Sequence, residues 1–146
     1  MVTPQQVVDE ARSWIDTPYH HQAMLKGIGV DCVGLIRGVC ENLGGPFDPQ
    51  QWARFKNYSR TPNPRKMHEG MATFLLPVVG DMQLGDVLHL EWRNDLPMHL
   101  AFFATLDERP TIIHALASAR RVCEHGFEAP WPGRVNSVWR LPIVSR

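Results

Sequence analysis

The chain has 146 residues, with 15 Lys plus Arg, 15 Asp plus Glu and a formal net charge of zero. That balance argues against nucleic-acid binding driven by bulk charge, and no apolar run approaches the ~20 residues that a membrane-spanning helix needs. With 44% hydrophobic and 21% charged residues, residues 1–146 read as one globular domain able to bury a single core.

Thr3-Pro4-Gln5-Gln6 is a capping box with proline at the first helical position. Val7, Val8, Ala11, Trp14 and Ile15 then form one apolar face, so a helix is expected over about 4–15. Asp16-Thr17-Pro18 ends it, and Pro18, Gly27 and Gly29 make the next stretch a loop. From Leu35 the apolar residues Leu35, Ile36, Val39, Cys40 and Leu43 recur at helical spacing until Gly44-Gly45. Asp31 stands where an N-cap would stand. Residues 45–64 are loop-rich, with Pro46, Pro49, Pro62 and Pro64, and only Gln50 to Phe55 suggests a helical turn. Lys66 to Leu76 reads as a further helix with Met67, Gly70, Met71, Phe74 and Leu75 toward the core.

The period then changes. Leu84-Gly85-Asp86 is a turn, and Val87 to Trp92 alternates as a strand. Arg93 to Pro97 is a loop, and Met98 to Leu106 is a strand apolar on both faces, hence central. Asp107 to Pro110 turns into a third strand, Thr111 to Leu116; Arg120 to Glu124 and Val138 to Leu141 are the fourth and fifth. Helices followed by an antiparallel meander make an α+β fold, with the N-terminal helices packed on a central antiparallel sheet.

The N-terminus has no basic stretch followed by an apolar one, so no signal peptide is read and cytoplasmic synthesis is expected. Three cysteines, Cys32, Cys40 and Cys123, fit reduced thiols better than a disulfide framework. Neither they nor the seven histidines fall into zinc-ligand spacing, so no metal site is expected.

Cys32 falls at or next to the first position of a helix. Free backbone N–H groups and the positive end of the helix dipole there favour thiolate, which makes Cys32 a candidate nucleophile. His99 and His114 lie in two strands joined by a short turn, so both rings can share one face. A base on a strand beside the nucleophile, with a third group orienting it, is the logic of a Cys–His triad. The alternative for each histidine alone is that it satisfies a backbone carbonyl in the core.

In order along the chain, T-P-Y, D-C-V-G-L, G-D-V-L, H-L-A-F-F and I-I-H-A resemble the NlpC/P60 family of cysteine peptidases. The resemblance covers about Val2 to Leu116. The T-P-Y-H-H-Q opening and the G-V-D-C segment are similar to the version found in phage tails and gene transfer particles. It implies a minimal papain-like fold, Cys32 as nucleophile, His99 as general base and acid, and His114 as the polar group orienting His99. Tyr19 matches the tyrosine bordering the active site, and Asp31 the acidic neighbour of the cysteine. No cofactor is implied. The implied substrate is the peptidoglycan stem peptide, often cut between D-glutamate and a diamino acid. Phage tail proteins are the implied partners, with a particle delivering the chain to the cell wall. At two places the chain departs from the common pattern: Val33 replaces a serine, and His20-His21-Gln22 replaces W-G-G. Both line the substrate side in the family, so His20, His21 and Val33 join Tyr19 and Asp31 as substrate-contacting residues. A Cys32 thiolate paired with a His99 imidazolium is the expected resting state. The competing functions are a catalytically silent tail-assembly module and an amidase or acyltransferase acting on another amide.

Cys40 reads as a small core residue and Cys123 as incidental. Trp52, Trp92, Trp131 and Trp139 read as core before groove. Arg120-Arg121 reads as a solvated strand edge and Asp86 as a turn residue. His68, His89 and His125 carry no motif and are assigned no role.

Overall fold

The computed structural model describes residues 1–46, 48–53, 63–91 and 97–145. Helix α1 runs over Pro4–Arg12, with Thr3 capping it and the Thr3/Gln6 box closed in both directions. A turn follows rather than further helix. Val7, Val8, Ala11 and Trp14 are buried as expected, but Ile15 is 36% exposed. The helix ends at Arg12, so Ile15 leaves the apolar stripe.

The glycine-broken stretch is more ordered than a loop. Met24–Leu25 (β1) and Gly29–Val30 (β2) form a two-stranded antiparallel ribbon. Helix α2 spans Cys32–Asn42 and buries Leu35, Ile36 and Val39. A short helix α3, Pro49–Ala53, occupies the expected helical turn, whose Phe55 end lies outside the described residues. Helix α4, Pro64–Phe74, begins earlier than the apolar pattern suggests because Asn63 caps it and Pro64 takes the first position.

Six further strands form one antiparallel sheet: β3 Leu76–Pro77, β4 Val87–Glu91, β5 Pro97–Leu106, β6 Arg109–Leu116, β7 Arg121–Gly126 and β8 Val135–Arg140. Their order is β3-β8-β4-β5-β6-β7. The last strand therefore returns across the meander to pair with β4. Val87 to Leu90 of β4 are all buried, because Val87 joins the core under the helices while Leu88 and Leu90 join the cluster on the other face. The Trp92 end of that strand and the loop over 93–96 lie outside the described residues. The β5–β6 turn uses positive φ at Asp107 (52°) and Glu108 (64°), the backbone of a tight hairpin.

Helices α1 and α2 pack on the sheet at β5 and β6. The main core joins Val7, Val8, Ala11, Leu35 and Val39 to Leu100, Phe102, Ala104, Ile113 and Ala115. The other sheet face carries a smaller cluster of Leu88, Leu90, Ala101 and Ile112, covered by Phe127, Trp131 and Val135. Asp86 does more than turn the chain. It is fully buried, accepts the Gln83 amide, and pairs with Arg140 of β8 at 2.7 and 2.9 Å. The β7 edge is closed by the segment before β1: Asp16 N–H donates to Val122, Val122 N–H to Thr17, and Tyr19 N–H to Arg120. Among the described residues no helix is long and apolar enough to cross a membrane.

Candidate active site

The centre begins at the first turn of α2. Asp31 is the N-cap, and one carboxylate oxygen accepts from Gly34 N–H at 2.8 Å. The other accepts from Gln22 N–H at 2.8 Å, tying the preceding loop to the helix start. His21 Nδ1 lies 4.0 Å from the same oxygen. Gly34 is required by closeness: a Cβ there would run into the Ala23 carbonyl oxygen. The sequence D-C-V-G thus seats the ribbon loop directly on the helix terminus.

Cys32 is the first residue of α2 and is half-buried. Its sulfur lies against the backbone N–H groups of Cys32, Val33 and Leu100, which favour the thiolate. Burial outweighs them, and the neighbouring Asp31 carboxylate adds to it, so the thiol is pushed up to about 12. Burial and Asp31 thus work against the expected thiolate. The helix terminus supplies its amides, but Asp31 consumes part of the favourable field and the sulfur is taken from water.

Leu100 follows His99 on β5, so the sulfur sits at the His99–Leu100 step. A β-bulge immediately precedes it: β4–β5 pairing passes from Leu90↔His99 to Glu91↔Pro97 and leaves Met98 unopposed. Bulges of this kind re-aim side chains beside functional centres. His99 is 8% exposed and His114 fully buried. His99 Nε2 and His114 Nδ1 are 2.6 Å apart. Burial holds His99 down at about 4, with His125 contributing next; burial, His99 and His125 hold His114 down at about 2. Burial thus disfavours charge on the cysteine and on both histidines.

The structure also brings in His125, which carried no motif. His114 Nε2 is 2.8 Å from His125 Nε2, and His125 Nδ1 is 3.0 Å from the Gly126 carbonyl oxygen. Trp131 packs edge-on against His114 at 5.3 Å and lies 5.1 Å from His125. The signal for His125 was present in the hairpins. Once β6 and β7 pair with Ile112 opposite His125 and His114 opposite Cys123, both rings fall on one face.

The remaining expected contact residues lie in the segment before α2 and at its first turn. Tyr19 is half-buried and bridges to Val30. His20 is exposed, with Nδ1 3.1 Å from the His21 carbonyl, and His21 is half-buried. Val33 packs on the main core while its amide faces the sulfur. Asp31 is 2% exposed, and both of its carboxylate oxygens accept from backbone amides. Cys40, eight residues on, packs against the main core, and burial pushes its thiol up to about 11.

No family model matches this sequence, and no curated protein matches it. Solved structures do. A lipoprotein-like NLP/P60 family protein of Staphylococcus aureus superposes with TM-score 0.64 at 15% identity, over 98% of this chain and 42% of that one. The NlpC/p60 domain of the peptidoglycan hydrolase SagA matches with TM-score 0.57 at 19% identity, over 96% of this chain and 100% of the domain. An NlpC/P60 family protein of Bacillus cereus gives 0.63 at 14% identity, over 96% of this chain and 40% of that one. The chain spans less than half the length of the Staphylococcus aureus and Bacillus cereus chains that it matches. An antiparallel sheet backed by N-terminal helices is the papain-like fold of the NlpC/P60 structures, and this chain has it.

Proposed function

We propose that the chain is a cysteine endopeptidase that hydrolyses amide bonds in peptidoglycan stem peptides, in the setting of a phage-type tail. One observation carries the catalytic part: the Cys32 sulfur rests at the His99–Leu100 step while the His99 ring is bonded to His114. A domain of a peptidoglycan hydrolase sharing this fold supports the substrate class. The T-P-Y-H-H-Q and G-V-D-C segments support the tail setting.

In the proposed reaction the Cys32 thiol gives its proton to His99 as sulfur attacks the amide carbon. Starting from a neutral pair, proton transfer accompanies attack. The carbonyl oxygen becomes an oxyanion held by the amides at the start of α2, Cys32 and Val33. His99, now an imidazolium, protonates the leaving amine, and a thioester remains on Cys32. Water then gives a proton to His99 and its hydroxide to the acyl carbon. The thiolate leaves and recovers that proton, so one amide and one water yield one acid and one amine. Tyr19, His20 and His21, in the segment before α2, would contact the peptide, with Asp31 holding that segment to the helix start and Val33 contributing its amide.

Mass spectrometry of peptidoglycan fragments digested in ¹⁸O-water tests the proposal. A new amine with one ¹⁸O on the acyl partner is expected. An acyl product without ¹⁸O would mean transfer to another nucleophile. Unchanged fragments together with capture of tail proteins would mean a silent assembly module.

A further inference from the structure

The three histidines form a relay that ends on a backbone carbonyl, and its direction can be deduced. A carbonyl oxygen only accepts, so His125 Nδ1, 3.0 Å from Gly126 O, carries the hydrogen. In the form with three neutral rings each imidazole has one N–H, so His125 Nε2 is there an acceptor. His114 Nε2, 2.8 Å away, must then donate, which leaves His114 Nδ1 as an acceptor. His99 Nε2, 2.6 Å from that atom, must in turn donate. The His99 lone pair is thereby placed on Nδ1, the nitrogen turned away from His114.

We infer that His125 is a positioning residue that fixes the tautomer of the base: through His114, the Gly126 carbonyl obliges His99 to keep its lone pair on Nδ1. The inference rests on the reading of His99 as the base of the proposed peptidase. Without His125, His114 can adopt either tautomer. With its hydrogen on Nδ1, His114 would donate to His99 Nε2. His99 would then hold its hydrogen on Nδ1 and lose the acceptor needed for the cysteine proton. Two observations support a built arrangement. The rings occupy diagonal positions on one sheet face, given the β5–β6 and β6–β7 registers. Trp131 contacts both His114 and His125 and so restrains both rings. Burial keeps His99 and His114 neutral near pH 7, the condition under which a single N–H per ring applies. When His99 takes the cysteine proton on Nδ1, its Nε2–H remains donated to His114, and no proton leaves along the relay.

Histidine tautomers are read directly by ¹⁵N–¹H correlation NMR of the ¹⁵N-histidine-labelled full chain without substrate. The expected pattern is Nε2–H for His99 and His114 and Nδ1–H for His125. An Nε2–H form of His125, or an Nδ1–H form of His99, would overturn the inference with no variant needed. In His125→Phe, His114 and His99 should become tautomer mixtures. The kcat should fall about 10-fold with KM within about 2-fold, well short of the ~10⁴-fold loss seen when a triad is locked in the wrong tautomer. His125→Gln, which can accept from His114 and donate to the carbonyl, should restore most of kcat. Unchanged His99 and His114 tautomers in His125→Phe would also overturn it. Because the tautomers are read in the resting protein, a correct pattern with no peptidase activity would sink the functional reading and leave the relay standing.

Discussion

The first turn of α2 and the histidine row across β5, β6 and β7 serve one proposed centre but are built by opposite means. The turn is local. Asp31, Cys32, Val33 and Gly34 are consecutive, and Asp31 both caps the helix and holds the Gln22 loop. The row is assembled from residues 15 and 11 positions apart, and it exists only because three strands keep their register. The turn exposes backbone amides to its sulfur, whereas the row offers side chains whose hydrogens are set by one another. The lesson concerns the charge state. A helix start alone does not make a thiolate here, since burial and Asp31 win. Reactivity must then come from the base, and the base depends on the nonlocal half.

The largest effect that would sharpen this contrast is loss of the base. His99→Ala should reduce kcat/KM by about 10²–10⁴-fold while circular dichroism stays native. A loss under 10-fold would mean that the local half suffices.

Acid should attack the row before the turn. Native His99 is held at about 4 against an ordinary 6.5. Between those values the unfolded chain takes up a proton that the native chain refuses. Stability is therefore full above pH 6.5, falls as pH drops toward 4, and then levels for this group. The loss is on the order of 3 kcal/mol from His99, and buried His114 extends it to lower pH. Urea unfolding at pH 7 and pH 4.5 checks it, and equal stabilities would contradict neutral burial of the rings.

The turn is broken more gently by Gly34→Ala. Helix propensity favours alanine by about 1 kcal/mol, but the added Cβ meets the Ala23 backbone oxygen, which cannot rotate away. A net loss of about 1–3 kcal/mol is expected in thermal unfolding, and a stabilised variant would show that the loop is not seated on the helix.

Asp31→Asn is the smallest change. Asparagine still caps a helix, but the carboxylate that raises the Cys32 thiol is gone. The pH midpoint of Cys32 alkylation by iodoacetamide should move down, and the melting temperature should fall as well, because asparagine has one acceptor oxygen for the two amides of Gly34 and Gln22. A midpoint already below pH 6 in the unmodified chain would restore the thiolate–imidazolium pair and remove the contrast.

These regions also differ in how far the sequence disclosed them. The α+β layout, the α1 capping box, the Asp31 cap and the placement of Cys32 at the start of α2 were all legible, because each depends on residues within one or two turns. The β1–β2 ribbon was not, since two-residue strands carry no periodicity. The pairing of β4 with β8 was not legible, because β8 returns beside it from 45 or more residues away and nothing local announces it. His125 was passed over for a related reason. Its meaning lies in standing diagonally across from His114, and a single strand, R-V-C-E-H-G, does not show what lies beside it.

The most direct test of the central claim, that Cys32 is the nucleophile, compares Cys32→Ala with the unmodified chain on purified peptidoglycan fragments, counting new amino groups. A loss of at least ~10³-fold in release rate with an unchanged melting curve is predicted. Equal release by the two proteins would contradict the account.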